Sequence, residues 1–378
     1  MKEKVCIIHK SDNLDPRSFF KQAKTLRDAG YSVSVIGLQD RDRLVDGIRV
    51  IGAGRAESRF GRFSVANFRV LSRALREKAS VYHFHDLDFV PWAVLLKMIT
   101  GAAIIYDIHE AHPEYMMLKS YIPFFLKRLF SILVYIMEHA ASKVFDAIVP
   151  NDNFIASGFR HKRKVVIFNF PSLEFFRKFK PLPFSDRQFD LVYLGSLPRY
   201  HLERMMSIAE RLNLDGIRNR WAISTPDGAT LPWAMAELER RGLTENFVFL
   251  PYVTYTDVAQ YLSMAKIGII PLPPFKKFMK NIPVKMFEFM GCGMPFVLSD
   301  LPPSRQFIEG SGCAAAVEPD NIEQYAKAIK TFLSDPGAAG RAGSAGKRLV
   351  SERYNWVEEE KKLLALYVDL TGDNEHGR

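Results

Sequence analysis

Cysteine is scarce. Only Cys6, Cys292 and Cys313 occur in 378 residues, far apart and odd in number, with no C-x-x-C pair and no Cys/His metal spacing. This argues against a disulfide framework and a structural zinc centre, and for a reducing compartment. Long apolar runs are missing too. No stretch approaches the ~20 residues of a spanning helix. Met1-Lys2-Glu3-Lys4-Val5 lacks the apolar core of a secretory leader, so a cytoplasmic location is expected. No recognisable nucleic-acid motif occurs, and no nucleic-acid partner is expected. What is present is ordinary globular composition, 48% hydrophobic and 25% charged, which excludes a disordered or fibrous chain. The net charge of +10 suits solubility, an anionic ligand or an anionic surface. At ~150 residues per domain, the length suggests two to three domains.

Short apolar runs alternate with helical patterns. Val5–Ile8, Tyr31–Leu38, Ile48–Ile51, Val81–His85, Ala103–Ile108, Ala147–Val149 and Val165–Phe168 read as strands, and Arg17–Ala29 as a helix stopped by Gly30. A proline-bearing linker, Pro171 to Gln188, interrupts the rhythm. It resumes with Phe189–Leu194, Trp221–Ser224, Phe247–Leu250, Ile267–Pro271, Pro295–Leu298 and Ala314–Val317. An amphipathic helix, Trp356–Leu370, closes the chain, and the small-residue stretch Gly337–Gly346 reads as a helix interrupted by glycines. The expectation is α/β: two doubly wound, Rossmann-like domains facing a cleft.

Ligands of such sheets bind beyond the strands' carboxyl ends. Four junctions there carry chemistry. His83-Phe84-His85-Asp86-Leu87-Asp88 and Tyr106-Asp107-Ile108-His109-Glu110 end neighbouring strands, and His109 is the best single candidate for positioning substrate. A metal reading would draw on His85, Asp86, Asp107 and His109; the bland reading is that the aspartates cap helices or tie loops. Gly195-Ser196-Leu197-Pro198-Arg199-Tyr200-His201 opens the second half. Glycine there permits close approach of a phosphate, with Arg199 and His201 adding charge. The fourth junction, Asn281 to Pro295, puts Lys285 and Glu288 three residues apart on one helix face, below the basic loop Leu272 to Lys280. A carboxylate there can accept two ribose hydroxyls, and the ammonium suits a diphosphate.

Pro283-Val284-Lys285-Met286-Phe287-Glu288-Phe289-Met290-Gly291-Cys292-Gly293-Met294-Pro295 resembles the P-x-K-x-F-E-Y-M-A-x-G-x-P pattern of the family-four (group 1) retaining glycosyltransferases of GT-B fold. Asp15-Pro16-Arg17, Ala29-Gly30-Tyr31-Ser32-Val33, the two His/Asp junctions and Tyr354-Asn355-Trp356 resemble one of its subgroups. The resemblance implies an acceptor-binding domain over 1–170, a nucleotide-sugar domain over 171–352, and a last helix, 353–378, crossing back to the first domain. It implies that Glu288 binds the ribose, that His109 lies near the transferred sugar, and that no metal or cofactor is needed beyond the nucleotide-diphosphate sugar as co-substrate. Arg199 and Lys285 are carried over as phosphate partners. Asp15, Arg17, His85, Asp86, Glu110, Gly195, Ser196 and His201 complete the expected substrate contacts. One departure is notable. Where the family often has a second Glu, eight residues before Glu288, this chain has Lys280, so Lys280 and Asn281 are the expected sugar contacts. With Lys276 and Lys277, Lys280 points to an acidic sugar.

The implied activity is transfer of a sugar, with retention, to a glycan or polyprenyl-linked acceptor in cell-surface polysaccharide synthesis. A nucleotide-sugar epimerase of the same fold and a non-catalytic nucleotide-sugar-binding protein are the alternatives. The apolar segment Tyr121–Met137, interrupted by Lys127 and Arg128, is either a core helix or an interfacial contact with an anionic membrane.

Overall fold

The computed structural model describes residues 2–372 except 56–60, 120, 178, 227, 229 and 252. The expected last segment thus ends at residue 372 in description, and 373–378 lie outside the described residues. Two compact units are present, Met1–Asn169 with Val357–Arg378, and Phe170–Trp356.

The first unit is built on a seven-stranded sheet: β1 (Lys4–Ile8), β2 (Ser32–Gly37), β3 (Arg43–Val45), β4 (Ile48–Gly52), β5 (Val81–Phe84), β6 (Ala103–Ile108) and β7 (Ala147–Pro150). Their order is β3-β4-β2-β1-β5-β6-β7, all parallel except the β3/β4 pair. Central strands such as Val5-Cys6-Ile7-Ile8 are buried on both faces, as a parallel sheet between helical layers requires. Short β3 was not expected, because its three residues, Arg43-Leu44-Val45, make too short a run to read as a strand. Its signal was the turn: Asp46 and Gly47 both take positive φ (49° and 75°), the Asp-Gly hairpin geometry.

Two further expectations are corrected in this unit. Val165–Phe168 is not a strand. Its amides reach the carbonyls of Ile148 and Pro150, but the only bridge is Ile148 with Lys164, so no ladder forms. The first helix covers the expected residues but opens in the wider π form, Ser18–Ala23, before turning α over Lys24–Asp28. The Asp15 carboxylate takes the amides of Arg17 and Ser18 at 2.8 Å each, which turns Arg17, Ser18, Lys21 and Gln22 inward.

The second unit has six parallel strands: β8 (Phe189–Tyr193), β9 (Trp221–Ser224), β10 (Phe247–Leu250), β11 (Ala265–Ile270), β12 (Phe296–Ser299) and β13 (Ala314–Val317). Their order is β10-β9-β8-β11-β12-β13, the doubly wound arrangement. The glycine-rich stretch is one uninterrupted helix, Pro336–Glu352, capped by the Asp335 carboxylate. Two of its glycines are there for contact. A methyl at Gly343 would collide with the Gly293 carbonyl, and Gly346 lies against Met290. That close packing seats the helix Lys285–Gly291, whose Met286, Phe287, Phe289 and Met290 are buried. Strand order reverses at β1/β5 in the first unit and at β8/β11 in the second, so the loops after these strands are where each unit offers a crevice.

Candidate functional site

In the first unit, His9 and Lys10 follow β1, His85 and Asp86 follow β5, and Asp107 and His109 lie at the end of β6. The parallel register sets Ile7, His83 and Ile105 side by side, which stacks these junctions together. At their centre is Asp107, completely buried. The Arg17 guanidinium clamps it, with Nε 3.1 and 3.0 Å from the two oxygens and Nη2 at 3.0 Å. Gln22 Nε2 donates at 2.5 Å, His83 Nε2 lies at 3.3 Å, and His109 Nε2 at 3.1 Å. Burial alone would raise the Asp107 pKa; Arg17 and the surrounding His109 and His85 outweigh it and hold the carboxyl well below the usual range.

This ionised carboxylate organises the imidazoles. Burial holds His83 and His85 below the ordinary histidine value, so both are neutral at pH 7. His109 turns its Nε2 toward this carboxylate. His85 Nδ1 lies 2.7 Å from the same nitrogen, its ring perpendicular to that of His109 at 4.8 Å between centroids. Asn151 Nδ2 donates to the His109 carbonyl at 2.8 Å, fixing the backbone. Tyr367, on the helix Trp356–Thr371, bonds His83 Nδ1 at 3.0 Å and is itself fully buried. A pocket of about 520 Å³ opens over this network, lined by His9, His85, Asp86, His109, Glu110 and Tyr115 among others. His9 Nδ1 sits 3.4 Å from Asp15. Burial works against its charged form, but Asp15, then Asp86 and Asp107, lift its pKa to about 9.

The expected residues divide accordingly. His85, Asp86, His109 and Glu110 line the pocket. Arg17 does not; only 1% exposed, it holds Asp107. Asp15 caps the first helix and pairs with His9. Asp86 also ties the loop after β1, accepting from the Lys10 amide at 2.6 Å, while Asp88 pairs with the Lys10 ammonium. For the metal reading, His83, His85 and Asp107 present ligand atoms within 4.8 Å of one another, yet Arg17 already neutralises that carboxylate. His9, His83, Gln22 and Tyr367 were not singled out. His9 and His83 carried a signal, since one follows a central strand and the other begins the H-x-H-D motif.

In the second unit, Gly195 follows β8 with φ 132°, a conformation open to glycine, and its amide donates to Ser224 Oγ at 2.7 Å. The Lys285 ammonium lies directly against Gly195 and 4.7 Å above the Tyr193 ring. Burial lowers its pKa, and Glu288, one helical turn on, opposes that. Gly195, Ser196 and Lys285 are thus brought together. Arg199, exposed on the first turn of the next helix, stacks on Trp233 at 5.0 Å. His201 is placed otherwise than expected. It is 5% exposed, with Nδ1 3.0 Å from Tyr193 Oη, and burial then Lys285 push its pKa down to about 3. It is a neutral prop beneath the loop. Lys280 and Asn281 end the loop after β11, which is pinned by buried Phe278 against Tyr200 and His201. The helix begins at Lys285, with Pro283 accepting from the Met286 amide just before it.

Residues 17–170 match the family described as Glycosyltransferase Family 4, and residues 188–335 match Glycosyl transferases group 1. The chain belongs to the group 1 glycosyltransferases. Among curated proteins none matches it in sequence. Solved structures share the GT-B fold. The sucrose-phosphate synthase from Thermosynechococcus elongatus is 15% identical, with TM-score 0.78 over 99% of this chain and 100% of that one. HepE of Anabaena, solved with UDP and glucose, is 13% identical, with TM-score 0.71 over 97% and 100%. A Listeria monocytogenes protein named for a UDP-N-acetylglucosamine 2-epimerase is 12% identical, with TM-score 0.61 over 99% and 98%. At such identities these likenesses speak for the fold of this glycosyltransferase and leave its substrates to its own residues.

Proposed function

We propose that this glycosyltransferase moves a sugar, with retention and without a metal, from a nucleoside-diphosphate sugar on its second unit to a hydroxyl of a glycan or polyprenyl-linked acceptor taken by its first. Work at the cytoplasmic face of a membrane, in cell-surface polysaccharide synthesis, fits that acceptor class. The observation that carries the reading is the Lys285 ammonium seated on Gly195 at the β8/β11 switch point, one turn before Glu288. An ammonium at a glycine turn suits a diphosphate, and the carboxylate suits ribose hydroxyls. In the transfer, the bond from the anomeric carbon to the diphosphate breaks as the acceptor oxygen bonds to the same face. The acceptor proton passes to the departing phosphate, whose charge Lys285 and Arg199 stabilise. His109, held by Asp107, positions the sugar. The basic residues Lys276, Lys277 and Lys280 favour an acidic sugar; equal rates with neutral and uronic-acid donors would remove that part.

A thermal-shift panel of UDP, GDP, ADP, CMP and dTDP with their sugar donors tests the reading. A ligand at 100 times its dissociation constant stabilises by ~2.7 kcal/mol. One diphosphate is expected to shift the transition, and Glu288→Ala to abolish the shift. The HepE structure with UDP and glucose favours beginning with UDP. The epimerase alternative keeps the same donor site and is separated by product: turnover of donor to an isomer with no acceptor present would replace the transferase reading.

A further inference from the structure

The helix Phe124–Ser142 is not a core helix. Only Glu138, Ala141 and Ser142 of its nineteen residues are buried. Phe124 and Phe125 are 86% and 79% exposed, and Leu129, Ile132, Leu133 and Ile136 are each about half exposed. Positions 125, 129, 132, 133 and 136 recur at helical spacing, so they form one continuous apolar face. The neighbouring helix Val90–Thr100 packs against it and exposes three more apolar side chains, Leu95, Met98 and Ile99. Single exposed apolar side chains are ordinary; a face on two adjacent helices marks a contact surface.

Charge identifies what covers it. Lys127, Arg128 and Lys143 lie on or at the end of this helix, whereas its one carboxylate, Glu138, is turned inward to His112 and Tyr106. The loop before it adds Lys119, packed on the Tyr115 ring at 3.7 Å, and the Lys127 ammonium ties that loop down through the Met117 carbonyl at 3.0 Å. A second copy docked on this face would set these cations against their own kind. An anionic lipid surface complements both the apolar face and its basic edge, with Tyr121 and Tyr135 exposed as interfacial aromatics. Among the described residues no helix is long and apolar enough to cross a membrane, which leaves contact in the interfacial plane.

We propose that this two-helix face docks on an anionic phospholipid surface, beside the pocket of His109. Tyr121 belongs to both, being exposed on the approach to the helix and lining the pocket. The docking deepens the transferase reading, because it places a source of lipid-linked acceptor at the pocket mouth, but it does not depend on catalysis.

The test is flotation of the full chain with vesicles of phosphatidylcholine alone and of phosphatidylcholine mixed equally with phosphatidylglycerol. Flotation is expected with the mixed vesicles, weakening as salt is added. Arg128→Glu is expected to reduce partitioning about tenfold, and Phe125→Ser/Leu129→Ser/Ile132→Ser to abolish it. Both variants change exposed side chains, and an unchanged thermal transition confirms that each folds. No flotation of the parent, or equal flotation of parent and variants, overturns the proposal. A concentration-dependent dimer that the triple variant abolishes, without flotation, overturns it in favour of a second copy. The nucleotide shift on the same proteins keeps the two readings apart, since flotation without any nucleotide shift would refute the donor site alone.

Discussion

Replacing Asp107 by asparagine keeps the shape of the side chain and removes its charge. Asp107 and Arg17 are 0% and 1% exposed, and the carboxylate also receives Gln22, His83 and His109. Asparagine strands the Arg17 charge away from water and turns an NH2 group toward donors. Breaking one partner of a buried pair costs ~3–5 kcal/mol. Arg17→Met strands the carboxylate instead and falls in the same range. Arg17→Met/Asp107→Asn should cost well under the sum, because no unpaired charge remains. Because the chain has two compact units, one melting temperature would mix them. Hydrogen exchange resolves them. Amides of β1, β5 and β6 should lose protection in Asp107→Asn while those of β8 and β9 keep theirs.

The pH dependence follows from the same carboxylate. Its folded pKa lies well below the ordinary value, so its contribution is present above about pH 4 and lost as the pH falls below that. Asp107→Asn should flatten the acid side of the stability profile of the first unit. A loss below ~1 kcal/mol, with the acid limb unchanged, would mean that the folded carboxyl already carries a proton, and the account of His109 as held by a carboxylate would fall with it.

His9 has the opposite sign. Its folded pKa, raised from 6.5 to about 9, gives stability that is complete below pH 6.5 and lost between 6.5 and 9. At ~1.4 kcal/mol per pH unit this is about 3 kcal/mol, so His9→Asn should remove the alkaline decline in exchange protection of the first unit. Tyr367→Phe removes the partner of His83 Nδ1 and should cost ~1–2 kcal/mol; a shift in the His109 imidazole resonances by NMR would separate an effect on the network from simple destabilisation. In the second unit, Gly343→Ala should destabilise by more than ~2 kcal/mol, since the methyl meets the Gly293 carbonyl, whereas Gly340→Ala, with open space around it, should stabilise by ~0.5–1 kcal/mol in urea unfolding.

Architecture was legible because its signals are local. Twelve short apolar strands in a βαβ rhythm need both faces covered, and the linker after Asn169 separates two such rhythms. Where reading failed, the deciding interaction was distant or offset. Val165–Phe168 has strand composition, but beside β7 it forms a single isolated bridge, Ile148 with Lys164, rather than a ladder. Tyr121–Met137 left two readings open because an all-round apolar segment has no periodic face to assign. The side that turns inward carries Glu138, satisfied by His112 and Tyr106 from other elements, with Ala141 and Ser142.

The candidate site shows the same division. Strand-end logic pointed to His85, Asp86 and His109, and the structure places all three along one pocket, since a parallel sheet leaves its functional groups beyond the carboxyl ends. It could not rank the carboxylates. Asp86, Asp88 and Asp107 look alike in sequence, and what distinguishes Asp107 is a guanidinium 90 positions away together with a glutamine and a tyrosine-held histidine. Arg17 was therefore taken for a ligand contact when it is the counter-ion that allows a carboxylate to stay charged in the core. The same reasoning reassigns His201. A histidine two residues into a helix beside a glycine turn suggests anion binding, yet a buried imidazole facing Tyr193 and a nearby ammonium must be neutral, so the positive charge at that turn falls to Lys285. Charge in both units is thus decided by which group burial leaves ionised, a property of assembled neighbours rather than of any motif.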